Sequence, residues 1–434
     1  MRSVEDHLSL VTASVVAPRP VQVAISEAEG LLCAEEVVTS DPLPGFDQAA
    51  IDGYAVRAVD VTLAGAEAPD DMSTLVTHDV DVEELDDSGR LVVHLPVVGD
   101  VTAGSRTPTR LQPGQAVRVE TGAPMPTLAD AVVPVRWTDG GEDRVMVGHG
   151  VDSGDYVRRT GDDVRPGDVA VRAGSIIGPA QVGLLAAVGR SRVLVHPRPR
   201  VSVIAVGNEL VDIDRNPGAG QVFDINSYSL AAAARDAGAD VHRVGIAERE
   251  PAKLREAVEA QLIRSEIVVI CGSLGGAAST AITDALADLG DLDVGRVGMH
   301  PGSVQGFGCL GRDEIPTFLL PANPVSALVT FEVMVRPLIR IALGKRQPMR
   351  RTVRARSIGP ILSVLGRRGY LRGQLMRDER SGDYLVQVIG ESETGTSHLL
   401  AELAEANCLI MVDEDVEEVR TGDEVDVMFL AQRG

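Results

Sequence analysis

Between residues 200 and 345, apolar runs alternate with helical stretches, and this alternation limits the fold more than any other feature of the chain. The run 201-VSVIAVG-207 precedes a helical stretch at about 226–237, and 241-VHRVGIA-247 precedes another at 252–264. The run 266-EIVVIC-271 leads into a helix at about 280–289, and 316-PTFLLP-321 feeds one beginning near Pro324. Strands that alternate with helices imply a parallel sheet covered on both faces. Ligands of such sheets bind beyond the carboxyl ends of the strands. The loops at 207–224, 271–280 and 321–326 are therefore expected to face one crevice.

One of these loops has the form of a phosphate cradle. In 266-EIVVICGSLGGAASTAITDALADLG-290 a strand opens onto a small-residue turn and then onto a helical pattern. Backbone N–H groups at such a junction can donate to and cradle an anion, because glycine permits close approach and the helix start favours negative charge. Gly272, Ser273, Gly275 and Gly276 are the candidate ligand-binding positions, yet 272-GSLGGAAST-280 contains no Lys, Asp or Glu.

The remaining segments read differently. Val4, Leu8, Val11 and Val15 recur on one helical face, with Ser3 as a cap and Asp6 three residues on. Residues 41-DPLPGFDQAAIDGYAVR-57 carry loop chemistry with a strand at the end, and 58–150 are strand-like, broken by acidic turns. Residues 151–178 read as tight turns between short strands, and about 346–434 as a small β-barrel with one brief helix. The expected class is a multidomain α/β chain: a doubly wound α/β domain, a strand-rich insertion and a C-terminal β-barrel.

Charge and cysteine usage exclude several roles. A formal charge of −22 and a pI near 4.8 argue against nucleic acid as a partner. Cys33, Cys271, Cys309 and Cys408 lie far apart without zinc-site spacing. The N-terminus lacks a leader pattern, and no apolar run approaches the ~18 residues of a span. A cytoplasmic chain with reduced thiols and no membrane insertion is expected.

Six segments, in order, carry a family resemblance: 44-PGFDQAAIDGYAVR-57, 120-ETGAPMPTLADAVVP-134, 158-RRTGDDVRPGD-168, 224-DINSYSL-230, 299-MHPGSVQGFG-308 and 319-LLPANPVSALVTFEVMVRP-337. Together they resemble the MoeA family, the molybdopterin molybdenumtransferases, and the homologous E domain of gephyrin. The resemblance implies an elongated homodimer with four subdomains per chain. These are 1–44 with 151–178, the insertion 45–150, the molybdopterin-binding-like domain 179–345 and the barrel 346–434. It also implies magnesium-dependent insertion of molybdate into adenylated molybdopterin, with release of AMP. Carried over by position, Asp47, Asp52, Thr121 and Glu209 are the catalytic candidates. Asp162 and Glu209 are the Mg2+ ligands, and His300, Ser303 and Asn323 join the glycine turn as molybdopterin-binding positions. Aspartate in turns also serves as a cap or Asx-turn, and both readings stand open.

The chain departs from the family pattern where substrate charge is handled. The common GGVSVGDxDYT becomes GSLGGAASTAIT, placing Thr280 and Ala281 at the acidic and aromatic positions. MKPGKP becomes 299-MHPGSV-304, PGNP becomes 321-PANP-324, and DNSAMDGYA becomes 47-DQAAIDGYA-55. Lysine makes charge-assisted bonds to oxyanions worth roughly 1.5–3 kcal/mol each; serine and a neutral histidine do not. These losses imply a degraded transfer site, unless Arg296, Arg312 or the basic linker 345–356 rebuilds the charge; those residues are equally well explained as solvated surface.

On this reading the chain is similar to the corynebacterial gephyrin-like branch of the family, repurposed for cell division and directed to the division site. Its partners are then the C-terminal peptide of FtsZ or a similar division or membrane-receptor segment, in a groove at Leu8, Tyr370 and Val416. Tyr370 serves either as a peptide anchor or as a packed barrel residue. The alternative is an active molybdopterin molybdenumtransferase with an unusual pocket.

Overall fold

A computed structural model describes residues 1–67, 81–86, 89–107, 109–272, 274, 277–390 and 400–430. The chain divides into two compact units, Val23–Val193 and a second formed by Met1–Gln22 with Leu194–Gly434.

The second unit holds the α/β domain and the barrel. Its N-terminal helix α1 (Val4–Ala13) starts where Ser3 Oγ accepts the Asp6 N–H at 3.0 Å, and it buries Val4, His7 and Val11. The strands β1 (Arg200–Val206), β2 (Asp240–Ala247), β3 (Ile267–Gly272), β4 (Leu292–Arg296), β5 (Val304–Leu310) and β6 (Ile315–Pro321) form one sheet in the order β2-β1-β3-β6-β5-β4. The first four in that order are parallel, whereas β5 runs antiparallel to both of its neighbours, β6 and β4. The sheet is thus mixed, not wholly parallel, because β5 is joined to β4 and to β6 by short returns and not by helices.

Alternate residues of the strands feed two cores. Val201, Val203, Val269 and Phe318 pack with α2 (Asn226–Ala237), with α5 (Pro324–Thr330), with α6 (Arg336–Ala342) and with Val4 and Val11 of α1. Ile204, Val206, Val268 and Ile270 pack on the other face with α3 (Pro251–Leu262) and α4 (Ala277–Leu286). Between α5 and α6 the chain passes through a single π-helical stretch, Phe331–Val335, in which every residue is buried.

The barrel follows. Strands β7 (Thr352–Ser357), β8 (Arg368–Arg377), β9 (Tyr384–Val388), β10 (Cys408–Val412) and β11 (Glu424–Phe429) run in the order β8-β9-β7-β11-β10, and β10 pairs back onto β8. That last pairing closes the sheet and removes its free edges. Val386, Ile410 and Val427 fill the inside.

In the unit Val23–Val193 the main sheet orders Arg144–Val147, Leu91–Val101, Ala116–Val119, Gly53–Val56 and Ala131–Pro134, with Asp81–Leu85 paired onto Leu91–Val101. Two small ladders join Gln48–Ala49 to Val157–Arg158 and Val37–Val38 to Val169–Val171. No helix among the described residues is long and apolar enough to cross a membrane.

Candidate functional site

Three loops of the unit Val23–Val193 are stitched together through their backbones. Ala49 N–H donates to Ala123 O, Gly122 N–H to Ala49 O and Met125 N–H to Asp47 O, at 2.8–2.9 Å. Gly161 N–H reaches Pro44 O at 3.0 Å, and Gln48–Ala49 pairs with Val157–Arg158. Gly53 belongs to this assembly because a Cβ there would overlap Val133 O; this is why glycine follows Asp52.

Within the cluster each of two carboxylates is gripped by one threonine. Asp52 Oδ1 accepts the Thr121 backbone N–H and hydroxyl, both at 2.7 Å. Asp47 Oδ1 accepts the Thr160 N–H at 2.7 Å and its hydroxyl at 2.8 Å. The Thr121 hydroxyl and N–H hold Asp52 below the usual carboxylate range, and the Thr160 N–H and hydroxyl do the same for Asp47. Both are ionised at neutral pH, and both are exposed. Asp162 behaves as a turn cap: its Oδ2 accepts the Arg159 N–H at 2.6 Å. A cavity of about 250 Å³, with Arg106 in its wall, adjoins the same loops through Pro124 and Met125.

In the α/β unit, β1, β3 and β6 end side by side, with Val206 opposite Gly272 and Gly272 opposite Pro321. The loops beyond them therefore share one edge. Glu209 stands in the first and is paired with Arg249. Asn226, at the start of α2, donates Nδ2–H to Ala322 O at 2.7 Å, while its Oδ1 is buried with no hydrogen-bond partner among the described residues. Asn323 caps α5, its Oδ1 accepting the Ser326 N–H at 2.9 Å. Ser273, Gly275 and Gly276 lie outside the described residues; Gly272 closes β3, and Thr280 and Ala281 are exposed on α4.

His300 lies on a two-residue strand beside β8, half-buried. Burial, and then the charge of Arg367, push its imidazole down. Ser303 O accepts the Val297 N–H at 2.8 Å. Gly302 between them has φ 90°, and a Cβ there would overlap Thr330 Oγ1.

Several groups escaped the reading of the sequence. Thr160 and Arg249 were invisible because their partners are distant in sequence. Arg367 is a cation whose charge acts on His300, and no motif marks it in the sequence. The motif 224-DINSYSL-230 also nucleates a polar network: Ser227 Oγ donates to the buried Asp224, and Tyr228 Oη donates to Asp212 Oδ1 at 2.6 Å. Arg243 lies 4.0 Å over the Tyr228 ring and reaches Asp212 Oδ2 with two nitrogens at 3.2 Å. The i,i+3 Asp/Ser spacing of a helix start was the available signal.

The basic linker is partly structural. Arg350 pairs with Glu332 at 2.7 Å and with Asp236 at 2.9 Å, so it is not a surface charge free for substrate. Tyr370 is only 4% exposed and packs in the α/β core, which leaves no aromatic surface for an arriving peptide. Leu8 and Val416 are half-buried against their own cores.

A mixed α/β domain with ligand loops at its strand ends, a closed barrel and a strand-rich insertion bearing clamped carboxylates define a multidomain MoeA-like fold. The MoeA N-terminal region (domains I and II) matches residues 2–189, a probable molybdopterin binding domain matches 202–341, and the MoeA C-terminal region (domain IV) matches 354–430. Over 434 residues the chain is 66% identical to molybdopterin molybdenumtransferase 1 of Mycobacterium tuberculosis, covering 100% of both. It is 37% identical to molybdopterin molybdenumtransferase 2 of the same organism, covering 99% of this chain and 100% of the relative. Two structures of the molybdopterin biosynthesis MoeA protein of Pyrococcus horikoshii superpose with TM-scores of 0.78 and 0.71, at 28% and 25% identity. Each spans 99% of this chain and 99–100% of its own. The chain belongs to the MoeA family.

These matches overturn the expectation of a degraded, gephyrin-like division scaffold that binds FtsZ. Full-length identity of 66% aligns the chain with a named transferase. Lost charges at single motif positions do not by themselves mean lost chemistry, and the charge of Arg367 acts on His300.

Proposed function

We propose that this chain is a molybdopterin molybdenumtransferase, inserting molybdate into adenylated molybdopterin and releasing AMP. The observation that carries this reading is its 66% identity, end to end, with a protein of that name. The crevice beyond β1, β3 and β6 takes the pterin. Asn226 Oδ1, a buried acceptor with no partner among the described residues, receives a ring N–H, since a buried acceptor is costly to leave unpaired.

Magnesium fits the carboxylates available. Among the described residues no three His, Cys, Asp or Glu side chains form a cage. Magnesium needs none, because it keeps several waters and binds through one or two carboxylates plus substrate phosphates. Asp47 and Asp52, ionised and with no partner on Oδ2 among the described residues, are the groups that would hold it; Glu209 is a further candidate on the α/β unit. The ion supplies charge neutralisation to the departing phosphate.

We further propose that the protein works as a homodimer in a reducing cytoplasm. All four cysteines are free, and Ile213, Val222, Phe223 and Ile225 present exposed apolar surface on one loop. Sedimentation tests the dimer. The function is tested with purified protein, adenylated molybdopterin, molybdate and Mg2+. Release of AMP at a rate comparable with a relative of the family is expected, and background-level release overturns the reading.

A further inference from the structure

Thr160 repeats on Asp47 the grip that Thr121 has on Asp52: backbone N–H and hydroxyl of one threonine on a single carboxylate oxygen. We propose that Thr160 is a positioning residue, fixing Asp47 so that its free oxygen, Oδ2, meets the magnesium–phosphate ligand; this rests on the transferase reading above.

Three observations carry it. The grip is not local turn chemistry. Asp162 and Asp168 each accept from a backbone N–H three residues before them, as turn aspartates do, whereas Thr160 and Asp47 are 113 residues apart. The pair is also exposed, where hydrogen bonds add little to stability. Finally, both donors fall on Oδ1. A carboxylate held at one oxygen by two donors loses its rotation about the Cβ–Cγ bond while the other oxygen stays open, which is the arrangement a hard cation needs. The β-branched threonine suits the task because its hydroxyl has few rotamers.

The test uses Thr160→Val, which keeps shape and backbone N–H, and Thr160→Ser, which restores the hydroxyl. In the full-length protein, Mn2+ is titrated by electron paramagnetic resonance with AMP present, and AMP release is followed against Mg2+. Thr160→Val is expected to weaken Mn2+ binding and raise half-saturating Mg2+ about fivefold, the worth of one net hydrogen bond. Thr160→Ser returns these values to within about twofold. Unchanged Mn2+ affinity in Thr160→Val, or a serine variant no better than valine, overturns the proposal. Since Mn2+ binding does not depend on turnover, an inactive wild-type protein overturns the transferase reading alone.

Discussion

Arg249 sets one guanidinium nitrogen against both oxygens of Glu209, with Nη2 at 3.2 Å from Oε1 and 3.3 Å from Oε2. The two side chains are 39% and 41% exposed, so the pair contributes only about 0–1 kcal/mol to stability. Its chemical effect is to occupy a carboxylate at the strand-end crevice. Arg249→Met is therefore expected to keep the Tm within about 2 °C and to lower the Mg2+ needed for half-maximal AMP release. Glu209→Gln is expected to cut AMP release about tenfold, the scale of a lost charge-assisted contact. A Mg2+ titration of both variants is the check; unaltered half-saturation in both removes Glu209 from cation binding.

His300 is a neutral group at pH 7, since burial and then Arg367 hold its imidazole below the ordinary histidine value of 6.5. Substituting it therefore removes no charge. For His300→Gln the pH profile of AMP release should overlay that of wild type above pH 6.5, with the rate within about threefold. Arg367→Gln, by contrast, removes the cation of this corner and is expected to lower kcat/KM about tenfold. A limb between pH 7 and 8 that disappears in His300→Gln would contradict the assignment.

The strands and helices of the α/β domain were legible because their apolar periods are clean. Val201 and Val203 face one core and Ile204 and Val206 the other, as strand alternation requires, and Asn226–Ala237 was delimited by its own pattern. The antiparallel edge was not legible: the stretch 292–310 is punctuated by Gly295, Gly298, Gly302, Gly306 and Gly308, which hide its alternation. The carboxylates Asp47 and Asp52 could be named from a motif, but the threonine grip on Asp47 spans 113 residues and has no local signature. Charge was the hardest quantity to read. Arg350 looked like free basic surface and is an internal ion pair, whereas Arg367, in an unremarked Arg-Arg step, stands where charge bears on His300.

Tyr370 illustrates how burial decides between two readings of one residue. It packs among the α/β core residues, and burial pushes its phenol up to about 12. Tyr370→Ala is expected to cost about 3–5 kcal/mol, the range for truncating a buried aromatic, whereas Tyr370→Phe keeps the packing. Urea unfolding of the two variants, with an ultraviolet titration of the tyrosines, is the measurement. A destabilisation under about 1 kcal/mol for alanine, or a phenol that ionises near its ordinary value of 10.0, would place the ring at the surface.

His7 gives the N-terminal helix an acid sensitivity of defined sign. The side chain is 2% exposed, stands edge-on to Phe307 and accepts at Nδ1 from Arg2 Nη1 at 3.1 Å. Arg2, Asp293 and Gln305 are the polar groups that act on it. Burial, then the charge of Arg2, lowers its pKa from 6.5 to about 4, with Asp293 and Gln305 acting weakly in the opposite sense. Above pH 6.5 both folded and unfolded chains hold the ring neutral, and it contributes nothing to pH dependence. As the pH falls below 6.5 the unfolded chain takes up a proton that the folded chain refuses, so stability declines until the folded ring titrates near pH 4. At pH 5 the loss from this one group is about 2 kcal/mol. His7→Leu removes the titration while keeping an apolar body on the buried face of α1. Urea midpoints at pH 7.5 and pH 5 should therefore differ less in His7→Leu than in wild type, by about that 2 kcal/mol. Equal differences in the two proteins would show that the ring is protonated in the folded chain at pH 5, and that it is solvated there.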